Sequence, residues 1–310
     1  MSDYHTPVLL RESVEMLGID PGGIYVDVTF GGGGHSRAIL EKLGRNGRLI
    51  AFDQDADAAA NAPDDKRFTL IASNFKFMRG WLRAAGITRV DGILADLGVS
   101  SHHFDTPERG FSFRWDAPLD MRMNRQAKTT AADVVNDYDV DRLAVVLGRY
   151  GELDKPYRIA AAIEKRRGHE GITTIGELLS TLEPYTPKAG ESKFRAKLFQ
   201  ALRIEVNAEM EALEMMLEQS LRVLGPGGRL AVITYHSLED RTVKNFLRSG
   251  NFEGKIEKDF YGRQLSPFEL VTRKAVVPSA GEVAANPRAR SAKLRCGELW
   301  GTDGEGKTKE

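Results

Sequence analysis

The sequence predicts an α/β protein, a doubly wound and mostly parallel sheet interrupted by a small inserted helical domain. Three observations point there. Residues 24 to 36, IYVDVTFGGGGHS, pass from a short apolar run through four glycines into a helical pattern. Strand and helix patterns then alternate four times as far as residue 98, as expected for a parallel sheet with helices on both faces. After Asp96 the alternation gives way to a long loop and short helices, and it returns near Lys193.

Taken in order, HTPVLLRESVEML (5–17) reads as a short amphipathic lead-in behind Pro7, with His5 packed or exposed rather than catalytic. The helix after the glycines carries Ile39, Leu40 and Leu43 and stops at Gly44. RLIAFD (48–53) is the second strand, DADAAANA a helical stretch, RFTLI (67–71) the third strand, FKFMRGWLRAAGI an amphipathic helix and VDGILADLG (90–98) the fourth strand. Residues 99 to about 130 are polar, aromatic and turn-rich, and a loop of that length is more often functional than filler. Short helices follow to Leu182. One long helix over 193–224, capped by GPGG (225–228), leads to the fifth strand, RLAVITYHS. A helix SLEDRTVKNFLRS and a final strand within 269–277 complete the sheet. The expected division is a sheet domain of residues 1–107 and 193–300, an insertion at 108–192 and a flexible tail at 301–310.

The chain of 310 residues is long enough for a large domain with an insertion. Its 44 basic and 44 acidic side chains cancel, so any nucleic-acid surface must be local. A single cysteine, Cys296, excludes an internal disulfide and a cysteine-based zinc cluster. Six histidines are scattered, and no metal constellation emerges. No apolar run has the length of a membrane span and no secretion signal is visible, so a cytoplasmic location is expected. The sequence is compatible with a homodimer.

The glycines allow positive φ and close approach of a ligand, and the following helix N-terminus offers N–H groups to an anion. Asp53, closing strand two, stands where doubly wound folds hold ribose hydroxyls. A dinucleotide fingerprint requires G-x-G-x-x-G, and counting from Gly31 the sixth place is Ser36. Asp27 before the glycines, Asp53, and the helix–GPGG–strand entry to strand five together look like the class I S-adenosylmethionine-dependent methyltransferases.

A denser match covers almost the whole chain. HTPVLL, DVTFGGGGHS, DGILADLGVSS, RGFSF (109–113), PLDMRMN (118–124), GGRLAVITYHSLEDR (227–241) and NPRARSAKLR (286–295) stand in this order. Together they resemble the RsmH (MraW) family of bacterial 16S rRNA cytosine-N4 methyltransferases. The resemblance implies a class I methyltransferase domain with a helical substrate domain, S-adenosylmethionine as cofactor, and 16S rRNA or the small ribosomal subunit as partner. It implies cytidine 1402 of the decoding region as the target. It carries cofactor contacts over to Gly33, Gly34, His35, Asp53, Phe75 and Asp96. His103 falls on a further cofactor-contacting place, but family members usually follow GVSS with Pro-Gln, and here His102 and His103 stand instead.

Methylation of an exocyclic cytosine amine needs a group to accept its proton or hydrogen bond, because the nitrogen lone pair is delocalised into the ring. Asp96, at the edge of strand four, meets that description, and it has a second reading as a ligand of the cofactor alone. His236, closing strand five, is the other catalytic candidate, while Ser237 before LED reads as a helix cap. Phe104, Phe111, Phe113 and Trp115 are aromatics of the kind that receive flipped bases, with packing as the competing reading for each. Arg288, Arg290, Lys293 and Arg295 are candidate RNA phosphate contacts, as are the bases of KFRAKLFQALR and IEKRRG, although a solvated helix face explains any one cluster. Two other functions remain open: a nicotinamide-dependent oxidoreductase, and a non-catalytic RNA-binding factor with a vestigial cofactor pocket.

Overall fold

The computed structural model describes residues 7–262 and 264–300, so His5 and the tail at 301–310 lie outside the described residues. In chain order the first elements are α1 (Leu10–Met16), β1 (Ile24–Asp27), α2 (Gly34–Lys42), β2 (Arg48–Asp53), β3 (Phe68–Ala72), α3 (Met78–Ala84) and β4 (Val90–Asp96). Then come α4 (Ser101–Asp105), α5 (Ala131–Asp137), α6 (Val140–Gly151), α7 (Pro156–Arg167), α8 (Ile175–Leu182), α9 (Glu191–Asn207) and α10 (Glu209–Val223). The last are β5 (Leu224–Thr234), α11 (Ser237–Ser249), β6 (Glu257–Lys258), β7 (Gln264–Leu265), β8 (Phe268–Leu270), α12 (Ala280–Ala285) and β9 (Lys293–Leu299). Two compact units result: residues up to Gly98 with those from Glu211 onward, and Val99–Met210.

The first unit holds a seven-stranded sheet of order β3-β2-β1-β4-β5-β9-β8. Strands β1 to β5 are parallel, β9 runs antiparallel to β5, and β8 runs antiparallel to β9. The strand order reverses between β1 and β4, so the carboxyl ends of these two strands flank the crevice where doubly wound sheets bind ligands. β1, β2 and β4 are almost continuously buried, as strands covered on both faces should be. In the Val99–Met210 unit, α6 packs on both α7 and α9. Its core joins Leu143, Leu147, Ile159 and Ile163 to Leu198 and Leu202 of α9 and to Phe111 and Met121 of the long loop.

Four sequence expectations are corrected. The boundaries expected at 107/108 and 192/193 differ from the compact units, because α9 contributes to the helical core. The helix expected over 193–224 is two helices, broken at Ala208, which takes φ 48°. Neither glycine nor proline marks the break. Asn207 turns its side chain to the loop instead, accepting from Met123 N–H at 2.7 Å and donating to Met121 O at 2.8 Å, while Arg203 and Glu209 pair across the kink at 2.8 Å. The GPGG segment loops out of β5 rather than capping a helix, since Val90 pairs with Leu224 and Gly92 with Arg229. The final strand lies at 293–299 rather than within 269–277, where Glu269 and Leu270 end the short β8 and Val276 bridges Leu294.

That last shift changes the reading of NPRARSAKLR. In β9, Leu294 and Cys296 enter the core while Lys293 and Arg295 alternate onto the other face. There Arg295 Nε donates to Asp240 Oδ1 of α11 at 2.7 Å, and Lys293 Nζ donates to Oδ2 at 3.1 Å. Burial pushes the Asp240 carboxyl up, but the bonds from Arg295 and Lys293 outweigh it and hold it below the ordinary range. Asp240→Asn leaves a largely buried guanidinium without its charge partner, and the expected loss is about 3 kcal/mol in reversible urea unfolding. A depressed folded pKa makes this contribution present above the ordinary carboxylate range and lost as pH falls through the lowered value, so wild type and variant should converge in acid.

Candidate active site

The site is built at the carboxyl ends of β1, β2, β4 and β5. Asp27 closes β1 at 1% exposure, and a carboxylate so deeply placed must be hydrogen-bonded. Ser36 Oγ donates to its Oδ2 at 2.7 Å, and Thr29 N–H donates to its Oδ1 at 3.1 Å. The first bond fixes the start of α2 over the strand end; the second fixes the turn between them. Thr29 Oγ1 in turn accepts from the Asp96 N–H at 2.6 Å, which ties the end of β1 to the end of β4.

Between strand and helix lie the four glycines. Gly31 and Gly33 take φ 50° and 74°, values that favour glycine. A Cβ on Gly33 would meet the Phe30 ring at 2.8 Å, and one on Gly34 would stand 2.1 Å from Pro7 Cγ. Pro7 thus packs against the turn rather than starting a helix. Over Gly31, by contrast, a Cβ would meet nothing within 4 Å. Asp53 reaches from β2 to this point: its Oδ2 accepts from Gly31 N–H at 2.8 Å, and its Oδ1 accepts from Asp55 N–H at 2.8 Å. Half-buried Phe75 follows β3, beside Asn74, whose amide donates to Gln54 at 2.9 Å.

Asp96 is the carboxylate at the centre, with its side chain 21% exposed. Its Oδ1 accepts from the Tyr235 hydroxyl at 2.8 Å, and its Oδ2 lies 3.8 Å from His35 Nδ1. His35 is buried, its Nε2 3.2 Å from Val8 O. Burial pushes the Asp96 carboxyl above the ordinary range, helped by nearby Asp27 and opposed by His35, the Tyr235 hydroxyl and the Gly98 N–H. Asp27 is raised in the same way by burial, against His35, Ser36 and Thr29. The Tyr235 phenol is pushed far up by burial and by Asp96, so it stays a hydrogen-bond donor.

Gly33, Gly34, His35, Asp53, Phe75 and Asp96 therefore all belong to the sheet unit, along its β3-β2-β1-β4 half. Thr29, Ser36 and Tyr235 were missed by sequence reasoning. Tyr235 stood beside the histidine that drew attention, and its spacing from Asp96 along the chain carries no signal that the two strands pair. His236 is placed differently from the catalytic expectation. It is the N-cap of α11: its Nδ1 accepts from Glu239 N–H at 3.4 Å, Glu239 Oε2 accepts from Tyr235 N–H at 2.9 Å, and Nε2 lies 3.1 Å from Glu239 Oε1. The expected cap, Ser237, is the first residue inside the helix.

His103 belongs to the helical unit, where it is buried with its ring stacked on Phe111 at 4.8 Å. Phe111 is core, and Phe104 and Phe113 pack against that core, Phe113 edge-on to Phe199. Packing thus accounts for these three, while Trp115 is 41% exposed. Arg288 and Arg290 are exposed on a 3-10 turn around buried Ala289, unlike Lys293 and Arg295, which serve the α11–β9 contact.

A family model described as the MraW methylase family matches residues 2–299. The chain belongs to the MraW methylase family. Ribosomal RNA small subunit methyltransferase H of Parabacteroides distasonis is 60% identical over 298 residues, covering 96% of this chain and 98% of its own. The protein of the same name from Bacteroides thetaiotaomicron is 57% identical over 295 residues, covering 95% and 97%. Sheet order and family together make this a class I S-adenosylmethionine-dependent methyltransferase, and they remove the nicotinamide-dependent oxidoreductase.

The residues present fit that cofactor. Open space over Gly31, N–H groups at the start of α2, and the Asp53 carboxylate closing β2 are groups of the kind that a ribose and an amino-acid group need. Asp53→Ala should weaken S-adenosylmethionine binding by about 1.5 to 3 kcal/mol in calorimetric titration, because a ribose hydroxyl loses a charged acceptor and Gly31 N–H loses its anchor. An unchanged affinity in the folded variant would remove Asp53 from the cofactor site.

Proposed function

We propose that this MraW family member methylates the N4 amine of a cytidine in 16S rRNA, cytidine 1402 of the decoding region, in the cytoplasm. The observation that carries the chemistry is Asp96: a partly exposed carboxylate at the crevice, raised by burial and held by Thr29 and Tyr235. The name of the relatives, ribosomal RNA small subunit methyltransferase H, supports the rRNA substrate. S-adenosylmethionine supplies an electrophilic methyl when bound. Gly33, Gly34, His35, Asp53 and Phe75 would hold it, while Asp96 accepts the amine hydrogen bond and then the proton as the nitrogen gains its methyl. A raised carboxyl is a better base than an ordinary one, which suits this task.

In this reading the helical unit with its long loop recognises the rRNA, and exposed Arg288 and Arg290 add phosphate contacts. His103 serves as a packed ring that shapes the loop after β4, and His236 as a cap that orients Tyr235. Methyl transfer from labelled cofactor to 16S rRNA, with mass mapping of the product, tests the function directly. Absence of transfer would favour the non-catalytic RNA-binding reading, and transfer to another nucleotide would reject the assigned position.

Asp96→Asn should lower kcat about a hundredfold with little change in cofactor affinity, since the amide keeps the shape and loses the base. If only cofactor affinity falls, Asp96 is a ligand and not the acceptor. Tyr235→Phe removes a hydrogen bond that holds the Asp96 carboxyl down. The pH limb on which the base must be deprotonated should therefore move to higher pH in the kcat profile.

A further inference from the structure

We propose that the β6–β7 ribbon and the outward face of α11 bind a single-stranded RNA segment, with Phe260 and Tyr261 stacking on its bases. This rests on the rRNA reading above and adds a contact surface to it. Phe260 is 97% exposed and Tyr261 82%, and they stand side by side at the tip of the ribbon. Their rings are 5.5 Å apart and nearly perpendicular, so each presents a free face. The tip is built rather than frayed: Gly262 N–H donates to Asp259 O at 3.0 Å and Tyr261 N–H to Asp259 Oδ1 at 2.9 Å. Below it, Lys255 N–H donates to Asn251 Oδ1 at 2.9 Å, Asn251 returns a bond to Lys255 O, and Gln264 donates to Arg248 O at the end of α11.

α11 supplies the charge. Arg241, Lys244 and Arg248 are all exposed and spaced three and four apart, hence on one helix face. The helix's two acids are engaged elsewhere, Glu239 at the N-terminal cap and Asp240 on Arg295 and Lys293. From Arg241 to Arg248 the stripe spans about 10 Å at 1.5 Å per residue, and Gln264 ties its C-terminal end to the ribbon. The ribbon carries exposed Lys255 and Lys258 beside exposed Glu253 and Glu257, and Asp259 accepts in the turn, so the net positive charge of the track comes from α11. A basic track ending in free aromatic faces is the combination that follows a phosphate backbone and stacks on unpaired bases. An anionic lipid surface would use bases and rings together as well, so vesicle binding is measured beside RNA binding.

The test uses the full chain and a fluorescein-labelled single-stranded fragment of the 16S decoding region. The Phe260→Ala/Tyr261→Ala variant should bind it about tenfold more weakly, with unchanged S-adenosylmethionine affinity and thermal unfolding. The Arg241→Gln/Lys244→Gln/Arg248→Gln variant should lower the slope of log affinity against log salt by about 2, at about 0.7 per lost contact to a single strand. In Phe260→Trp, the tryptophan added at the tip should be quenched by the RNA. Unchanged affinity and slope with no quenching would overturn the proposal, as would loss of a wild-type dimer or of binding to phosphatidylserine vesicles with RNA affinity intact. If the wild-type chain neither binds nor methylates the rRNA, the functional reading falls and this surface falls with it.

Discussion

The hydrogen bonding of one buried carboxylate organises the rest. Asp27 sits at the end of β1 with almost no contact with water, and an unsatisfied carboxylate there would cost several kcal/mol. Its two partners, Ser36 Oγ and Thr29 N–H, belong to the start of α2 and to the turn, so satisfying the charge also sets the geometry of the Gly-rich segment. Thr29 then holds the Asp96 backbone, Asp96 holds Tyr235, and Tyr235 N–H is held by Glu239 of α11. Each bond places the next element, and the ends of β1, β4 and β5 at the crevice are joined side by side through polar groups.

Carboxylates whose titration their surroundings shift fall into two electrostatic classes. Asp65 is brought down to about 2 by its bonds from Arg67, and Asp120, Asp133, Glu177 and Asp240 are lowered by guanidinium groups or by N–H donors at turns and caps. Those acids are structural partners. Asp27 and Asp96 are raised instead, because burial outweighs the hydrogen bonds they receive. Raised acids destabilise a fold at neutral pH, since their stabilising effect is full below the ordinary carboxylate range and is lost as pH rises through the raised value. Such a cost persists where the charge or the proton has work to do, and both Asp27 and Asp96 stand at the crevice.

Much of this was legible in the sequence because it is local. IYVDVTFGGGGHS specifies strand, turn and helix within thirteen residues, and Asp53 and Asp96 each end an apolar run. What stayed hidden depends on distant pairing. The bond between Tyr235 and Asp96 spans 139 residues and exists only because β4 and β5 are neighbours. The break at Ala208 answers to Asn207 gripping Met121 and Met123 across more than eighty residues. β9 was masked because its two bases, alternating with Leu294 and Cys296, read as a cationic cluster before they read as a strand. The capping role passed from Ser237 to His236 by a single residue, a distinction that a spacing pattern does not carry.

Net neutrality conceals how the charges are partitioned. On the sheet unit, Asp240 faces inward to Arg295 and Lys293, Glu298 pairs with Arg229, and Glu282 accepts from the Leu9 backbone. Acids consumed in this way contribute to folding and little to the outer field. The bases of α11, Arg241, Lys244 and Arg248, are exposed on one face. A chain with equal numbers of acids and bases can still present a basic track, because the track depends on where exposed bases stand and not on the total. The sum of charges decides solubility; the direction in which each charge points decides whether a phosphate backbone has somewhere to lie.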